Sequence, residues 1–408
     1  MTAIHTHIFD NGFRLALEER STLGVSLELH LPFGSALDPA GKEGLGALIA
    51  EWIFRGAGKH SAQDLLNRLD DLSTGRGSGG VSSEHMPFKT SCLPEHLPEV
   101  LQLLGEVLQE PHLQAAELRS LKALALADLE TVEDSPADQA QLLFRESLLG
   151  PGYGHYPSGT PESLKAIRHR DAVQHVRKLS LQGAVLTVVG PLDWQQLLDT
   201  VQQVFGGWNT PAPTFPETRF NAPFVQHHSS PSQQTHLLLA HPAFQPGDAQ
   251  WYAFMLAVNV LSGGSSSRLF DEVREKRGLV YGVHAGIQVV RNLAYLQTYA
   301  SSTPGKAQET LDVTLQVLSS LKSGITDAEL QHARTGVLSD LIMSGENSRS
   351  RAAQMARDLW RLGHVRSLPE IQHSVQAVTL QNVQDTLDTW TPELLGMFTL
   401  GQEPLRVS

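Results

Sequence analysis

The sequence predicts an α+β protein built from two duplicated domains, each a mainly antiparallel sheet packed with helices. Its 408 residues are enough for two domains that each bury a core of their own. Strand-like and helix-like patterns follow the same order in both halves of the chain. A proline-rich stretch with little apolar periodicity separates the halves. We therefore predict an N-terminal domain at 1–210, a linker at 211–222 and a C-terminal domain at 223–408.

The N-terminal half begins with the pattern of a β-hairpin. Asn11-Gly12, a tight-turn dipeptide, lies between two β-prone segments at 4–9 and 13–17. Apolar side chains alternate with polar ones over 25–31, which predicts a half-buried strand. Apolar periodicity further predicts helices at 44–58, 95–108, 112–130, 136–149 and 194–205, and a buried strand at 184–189.

The C-terminal half repeats this order of elements. Its predicted strands lie at 235–240, 279–283, 293–301 and 397–401, and its predicted helices at 250–261, 265–278, 304–323, 326–345 and 348–362. The strand at 397–401 corresponds in order to the buried strand at 184–189 of the first half. This repetition indicates a duplicated domain.

The stretch 265–283 contains the strongest candidate site residues. Apolar residues recur at helical spacing up to Gly278, so Arg274 falls on the last helical turn and Tyr281 at the start of a strand. A guanidinium and a phenol at such a corner are hydrogen-bond donors suited to a peptide carbonyl or a tetrahedral oxyanion. Residue type alone favours a structural interpretation, with Arg274 as a helix C-terminal cation and Tyr281 as a half-buried aromatic.

Composition excludes some classes of partner. The formal charge of −12 argues against nucleic acid or an anionic membrane as the main partner. Cys92 is the only cysteine, so no disulfide forms within the chain. We find neither a signal-peptide pattern at the N-terminus nor an apolar run long enough to span a membrane. A cytoplasmic location is therefore expected.

The stretch 265–283 resembles the C-terminal half of the pitrilysin/insulinase metallopeptidases, the group that includes mitochondrial processing peptidase and bacterial relatives. The similarity is close in SSRLF at 266–270, in EVREKRGLVY at 272–281 and in the seven-residue step from Arg274 to Tyr281. The resemblance implies two domains arranged as a clamshell, with the matching Arg and Tyr across from a zinc site, where they hold the substrate.

The first half resembles the same family in Asp10-Asn11-Gly12, in Phe54-Arg55-Gly56 and in Glu133-Asp134-Ser135-Pro136. The family's HxxEH motif supplies two zinc ligands and a general base, and a later helix supplies an acidic ligand.

In the register of this resemblance, Ala47 and Glu51 occupy the histidine positions, Ala50 the position of the base, and Asp128 that of the acidic ligand. The resemblance therefore implies a degenerate site with no zinc in this chain. Glu51 and Asp128 could hold a hard cation, but a helix-surface residue and a structural carboxylate are the simpler interpretations.

No other group in the sequence replaces this site. Histidines near 5–7, 85, 155 and 227–228 lack the helical spacing with a carboxylate that zinc requires. A phosphate-binding loop and a GxSxG nucleophile elbow are absent from the sequence as well. Cys92 lies in an apolar setting that gives a thiol nucleophile no support.

The resemblance implies a non-catalytic, substrate-binding subunit of a two-chain zinc metallopeptidase. In bacterial members of the family one chain can carry HxxEH and the other the Arg and Tyr. The expected partner is thus an HxxEH-containing homologous subunit that holds the zinc, and the expected substrates are unfolded or short peptides. They would lie along an exposed strand edge, which the resemblance places near 77–83. A homodimer is left open.

Two alternatives remain. A catalytically inactive binding or scaffold protein, as in the core subunits of respiratory complexes that resemble this family, explains the losses at Ala47, Ala50 and Glu51 equally well. It does not explain why Arg274 and Tyr281 are both present. A self-sufficient zinc peptidase conflicts with the alanines, because alanine has no ligand or base atom.

Overall fold

The computed structural model describes residues 3–75, 77 and 80–407. The chain divides into two compact units, each assembled from separate segments. Unit 1 comprises Met1–Glu130, His155–Glu217 and Ser344–Ser367, and unit 2 comprises Thr131–Gly154, Thr218–Met343 and Leu368–Ser408. The units thus differ from the predicted domains 1–210 and 223–408 in two segments, 131–154 and 344–367.

Unit 1 contains a five-stranded sheet. Its strands are β1 (Ile4–Ile8), β2 (Arg14–Glu19), β3 (Val25–Leu31), β4 (Met86–Cys92) and β5 (Val185–Gly190), in the spatial order β1-β2-β5-β3-β4. The β2–β5 pair is parallel and the other pairs are antiparallel. The predicted hairpin is confirmed as β1 and β2, and Gly12 takes the positive φ of 79° that the turn requires.

The helices of unit 1 surround a large apolar core. They are α1 (Leu45–Trp52), α2 (Ala62–Asp71), α3 (Leu97–Gln109), α4 (Leu118–Glu133, entering unit 2 in its last turn), α6 (Pro161–Ala166), α7 (His169–His175), α8 (Trp194–Phe205) and α12 (Ser348–Leu362), numbered along the whole chain. Leucine, valine and phenylalanine side chains of the sheet, α1, α3 and α8 form this core.

Unit 2 contains a second five-stranded sheet with related topology. Its strands are β6 (Phe224–Ser229), β7 (Thr235–Pro242), β8 (Val280–Val290), β9 (Leu293–Ser302) and β10 (Gly396–Gly401), in the order β6-β10-β7-β9-β8. The β6–β10 pair is parallel and the others are antiparallel. The series β2-β5-β3-β4 thus matches β6-β10-β7-β9 in order and direction, which supports the predicted duplication.

The helices of unit 2 complete the correspondence. They are α5 (Pro136–Leu149), α9 (Trp251–Ser262), α10 (Ala307–Ser320), α11 (Asp327–Glu346, entering unit 1 in its last turn), α13 (Leu368–Ala377) and α14 (Leu380–Thr389). In addition, Phe270–Glu275 forms a short π-helical segment. Within this unit α5 packs on β7 and β10, and in unit 1 α12 packs on β3 and β5. Each sheet is therefore covered by a helix from the opposite half of the chain, which explains the two exchanged segments.

The prediction that residues 25–31 form a half-buried strand was wrong about burial. All seven residues of β3 are buried. The polar positions Ser26, Glu28 and His30 follow the alternation of the strand, and His30 lies against Trp360 of α12, with ring centroids 6.0 Å apart. Because a distant helix covers this face, the alternation marks a polar helix–sheet contact rather than a solvated face.

Two ion pairs attach α12 to β2 of the sheet and to the segment just before β4. Arg351 Nε donates to Glu18 Oε2 at 2.6 Å, with both side chains almost completely buried. Arg361 Nη2 donates to Glu84 Oε1 at 2.6 Å. Thr187 Oγ1 of β5 also donates to the Ala352 carbonyl at 2.8 Å. Only a small apolar cluster accompanies these bonds, so the position of α12 depends on charge pairing.

A half-buried histidine beside this contact, His85, predicts a pH-dependent stability. His85 stacks on His30 with centroids 4.1 Å apart. Burial, assisted by the positive charges of Arg361 and Lys89 and by His30, lowers the pKa of His85 to about 2. The unfolded chain therefore binds this proton near pH 6.5 and the folded chain does not, so stability falls as the pH drops below about 6.5.

We expect the free energy of unfolding of unit 1 to fall by up to about 1.4 kcal/mol per pH unit between pH 6 and 4 from this group. Urea unfolding of His85→Gln should show a shallower pH dependence than the wild type. His364→Gln, which changes an exposed histidine in the same unit, is the control. Equal slopes for His85→Gln and the wild type would contradict the assignment.

Candidate functional site

Arg274 lies on a π-helical segment of unit 2. Residues 270–275 form this segment, and the Lys276 N–H donates to the Asp271 carbonyl, five residues back, at 2.9 Å. The predicted helix at 265–278 is confirmed over 268–275, with its end near Gly278, and its π hydrogen-bond register was not predicted. Short π segments are rare and are frequent at functional sites.

Tyr281 lies on a second irregular element, a β-bulge. Strand β8 pairs with β9 so that Val280 faces Ser302 and Gly282 faces Ser301, which leaves Tyr281 as the extra residue. Bulges redirect a side chain out of the regular alternation of a strand. Tyr281 is 85% exposed, so the expectation of a half-buried strand aromatic does not hold.

The structure brings Arg274 and Tyr281 together. The Arg274 Cζ atom lies 5.7 Å from the ring centroid of Tyr281 and 4.6 Å from that of Phe270. Cation–π attraction of this kind contributes about 0.5–1 kcal/mol at an exposed site. The two rings therefore orient the guanidinium without using its N–H donors.

The two cations that follow Arg274 in sequence pair with a carboxylate, whereas the N–H donors of Arg274 remain available to a ligand. Lys276 Nζ lies 2.6 Å from Glu272 Oε1, and Arg277 Nη1 lies 2.5 Å from Glu272 Oε2. The hydrogen bonds from Lys276 and Arg277 lower the pKa of Glu272, and hydrogen bonds to Asp271 and then Glu272 raise the pKa of Lys276. In contrast, Arg274 Nε is 3.9 Å from Glu275 Oε1, too far for a hydrogen bond. Arg274 is thus the cation of this segment best placed to bind a ligand.

The positions of the degenerate zinc motif do not fit a zinc ion. Ala47, Ala50 and Glu51 lie on α1 at the spacing that places side chains on one helix face. Ala50 is buried, and Glu51 and Asp128 are exposed, Asp128 on α4. Within residues 3–75, 77 and 80–407, no group of three or more His, Cys, Asp and Glu is arranged to hold a metal ion.

The helix that carries the motif is nevertheless firmly anchored. Asp38 accepts hydrogen bonds from the N–H groups of Gly44 and Gly46 at 2.9 Å each, at the start of α1. His175 Nε2 lies 3.4 Å from the same carboxylate. Our sequence reasoning missed Asp38, because it lies seven residues before the first residue of α1 and a local capping pattern reaches only the residue directly before a helix. The start of α1 is thus held in place by a buried carboxylate from the preceding loop.

We expect the purified chain to contain far less than one equivalent of zinc, because a structural or catalytic zinc site needs at least three protein ligands. The measurement is metal content by mass spectrometry after dialysis against zinc at micromolar concentration. One tightly held zinc per chain, lost on chelation, would contradict the interpretation that Ala47, Ala50 and Glu51 form no zinc site.

The strand edge expected near 77–83 is only partly visible. Ser78 and Gly79 lie outside the described residues. The Gly77 carbonyl accepts the Lys89 N–H of β4 at 2.6 Å. Strand β4 ends the order β1-β2-β5-β3-β4, so this is an edge of the sheet.

Two further concave sites had no sequence signal. In unit 2 a pocket of about 230 Å³ lies beside Ser266, whose Oγ is 2.7 Å from His332 Nε2. In unit 1 a pocket of about 530 Å³ lies between β4 and the start of α12. Both depend on residues distant in sequence, so periodicity and spacing could not predict them.

Two α+β units whose sheets share a strand order define a protein of duplicated domains. Residues 14–161 match the family model for insulinase (peptidase family M16), and residues 178–337 match the model described as the peptidase M16 inactive domain. The chain belongs to this M16, pitrilysin/insulinase-type family.

Relatives and solved structures agree over nearly the whole chain. Proteins named as uncharacterized zinc proteases are 25% identical in Mycobacterium leprae, with 91% of this chain and 86% of that protein covered, and 24% identical in Bacillus subtilis, with 93% and 94% covered. A Pseudomonas fluorescens structure described as a peptidase M16 inactive domain superposes with a TM-score of 0.88 at 22% identity, covering 99% and 100% of the two chains. A Helicobacter pylori protease gives 0.85 at 17% identity, covering 98% and 100%.

Over the described ranges, no helix is long and apolar enough to cross a bilayer.

Proposed function

We propose that this chain is the non-catalytic, substrate-binding subunit of a two-chain zinc metallopeptidase. It supplies Arg274 and Tyr281 to the zinc site of an HxxEH-containing homologous subunit. The observation that carries the proposal is the Arg274–Tyr281 pair, presented on a π-helical segment and a β-bulge in a chain that has Ala47 and Ala50 in place of a ligand and a base.

The chemistry of the pair fits a peptide carbonyl that becomes an oxyanion. The guanidinium of Arg274 donates to the carbonyl oxygen, and its bond strengthens as negative charge develops on that oxygen. The Tyr281 O–H is a second donor on the same side. The partner supplies the zinc, the attacking water and the general base, so neither Ala47 nor Ala50 impairs the reaction.

Unfolded or short peptides are the substrate class that suits this arrangement. Main-chain hydrogen bonds to a strand edge hold an extended peptide without selecting its sequence. The buried free thiol of Cys92 agrees with the cytoplasmic location that we expect for this subunit.

A scaffold protein of the same family is the competing proposal. It accounts for Ala47 and Ala50, but packing alone gives no reason to expose a tyrosine on a bulge beside an arginine with unused donors. That difference favours the substrate-binding role.

The test is peptide hydrolysis by the purified chain, by the HxxEH homologue from the same organism, and by their mixture, with zinc measured on each. We expect activity above that of the homologue only in the mixture, with the zinc on the homologue. A mixture no more active than the homologue alone would leave the scaffold role, and activity of this chain alone would overturn both.

A further inference from the structure

The pocket of about 530 Å³ in unit 1 has a cationic rim that the Arg274–Tyr281 site does not use. It is bordered by β3 and β4, by Ser73 and Gly75, and by the first turn of α12. Among the described residues of its lining, the positively charged ones are Lys89 on β4 and Arg349 on α12. The chain as a whole carries a formal charge of −12. A pocket bordered by two cations therefore differs in sign from the net charge of the chain and attracts an anion locally.

Arg349 is held in position with its terminal nitrogens still available. Its Nε donates to Ser91 Oγ at 2.8 Å, and Ser91 Oγ lies 3.0 Å from Ser26 Oγ. The two terminal guanidinium nitrogens make no hydrogen bond to the described part of the chain. Asn347 Oδ1 accepts the N–H groups of Arg349 and Ser350 at 2.9 and 3.1 Å. The side chain, rather than the helix N-terminus, is therefore the anion-binding group.

Lys89 is also accessible, and its nearest counter-charge is already engaged. The Lys89 side chain is 58% exposed, with Nζ 3.6 Å from Glu28 Oε1. Glu28 is buried, and the same oxygen lies 2.6 Å from His30 Nε2. The Glu28 carboxylate is thus shared by Lys89 and His30, and it is the one acidic residue among the described lining residues, against the two cations Lys89 and Arg349.

The pocket borders β4 at the outer edge of its sheet. The Lys89 N–H points away from β3, but the Gly77 carbonyl already accepts it, which excludes a peptide strand at that position. Successive backbone groups alternate along a strand, so the N–H of Ser91 also points away from β3. A peptide that pairs with β4 at Ser91 would lie beside Arg349, whose Nε donates to the Ser91 hydroxyl.

We propose that this pocket binds a carboxylate of a peptide that reaches the outer edge of β4 at Ser91, with Arg349 and Lys89 as donors, so that the chain prefers acidic peptides. The carboxylate is that of an aspartate or glutamate side chain or of the peptide C-terminus. This inference rests on the proposed peptide-binding function and adds a preference to it.

The test is fluorescence anisotropy with labelled octapeptides in which one Glu is moved through the positions, each compared with its Gln counterpart. A second set compares a free C-terminus with its amide. We expect about three- to tenfold tighter binding of the carboxylate form at its best position, because charge-assisted hydrogen bonds at a partly exposed site contribute modestly. The difference should shrink as salt rises.

Two variants attribute the preference to the pocket. Arg349→Gln should abolish most of it, and Lys89→Gln should reduce it. Arg357→Gln, which removes an exposed arginine from the same helix, should leave it unchanged. A preference that survives Arg349→Gln and Lys89→Gln together would overturn the proposal.

The two proposals can fail separately. Equal binding of carboxylate and neutral peptides overturns the acidic preference but leaves peptide binding intact. Acidic preference without stimulation of the HxxEH homologue supports the pocket and contradicts the subunit role. If no peptide of either set binds, both are contradicted.

Discussion

Replacing Arg274 by alanine should lower kcat of the reconstituted two-chain peptidase by about 10²–10³-fold, the usual loss when one oxyanion donor is removed. The expected loss is large because the guanidinium of Arg274, 3.9 Å from the Glu275 carboxylate, is not hydrogen-bonded to it and is available to the substrate. The side chain is 40% exposed, so folding of unit 2 should change little. Steady-state kinetics at saturating homologue and circular dichroism of the variant measure the two effects.

Two further variants distinguish hydrogen bonding by Arg274 and Tyr281 from a general effect of positive charge or of ring packing. Lys276→Ala removes a neighbouring cation that is paired with Glu272, and it should change activity only slightly. Tyr281→Phe keeps the ring beside Arg274 and removes only the hydroxyl, so a loss in kcat without a loss of stability is expected. If Arg274→Ala and Lys276→Ala have equal, small effects, Arg274 has no special role.

Replacing Arg351 by alanine should destabilise unit 1 by about 3 kcal/mol. The change leaves the buried Glu18 carboxylate without the charge that α12 supplies. Arg20 Nε remains 2.5 Å from the other oxygen of Glu18, which places the loss at the low end of the range for broken buried pairs. Arg351 also donates to the Arg366 carbonyl at 2.9 Å, and that acceptor loses its donor as well.

Urea unfolding followed by tryptophan fluorescence measures this loss, since Trp360 lies on α12. Arg357→Ala, on the same helix but exposed, should shift the midpoint by a small fraction of that amount. Combining Arg351→Ala with Glu18→Gln should cost less than the sum of the two single changes, because the unpaired charge is gone. Additive losses would show that the pair does not interact as the structure indicates.

Much of the order of strands and helices was predictable because it is encoded locally. Side-chain periodicity and turn residues such as Asn11-Gly12 and Gly278 place an element without knowledge of the others. The corresponding strands β5 and β10 were found in this way, and their shared parallel and antiparallel pairings confirm the correspondence. The elements that we did not predict are β4, β6, α2, α6, α7, α13 and α14.

Long-range packing was not predictable from the same signals. The alternation of apolar and polar residues over 25–31 is that of a strand with one solvent-exposed face. The polar face is buried because α12, more than 300 residues later in the chain, packs on it. The exchange of segments 131–154 and 344–367 between the units was not predicted either, because it also depends on packing between residues distant in sequence. Hydrophobic patterns report that a face is buried, but they do not identify the element that covers it.

The candidate site was likewise predictable from the sequence only in part. The seven-residue step from Arg274 to Tyr281 pointed to one corner, and the structure places the two side chains in contact there. The π register and the bulge at Tyr281 are backbone hydrogen-bond features, which side-chain spacing does not encode. Arg349 and Lys89 are 260 residues apart in sequence, so only the fold could bring them to one pocket.

A competition titration tests most directly whether the chain acts on a partner through Arg274 and Tyr281. The double variant Arg274→Ala/Tyr281→Phe is added in increasing amounts to a fixed mixture of the wild-type chain and its HxxEH homologue. We expect the variant to displace the wild-type chain and lower peptide hydrolysis to that of the homologue alone. Hydrolysis that stays at the level of the wild-type mixture after complete displacement, verified by size-exclusion chromatography of tagged chains, would contradict the role of the pair.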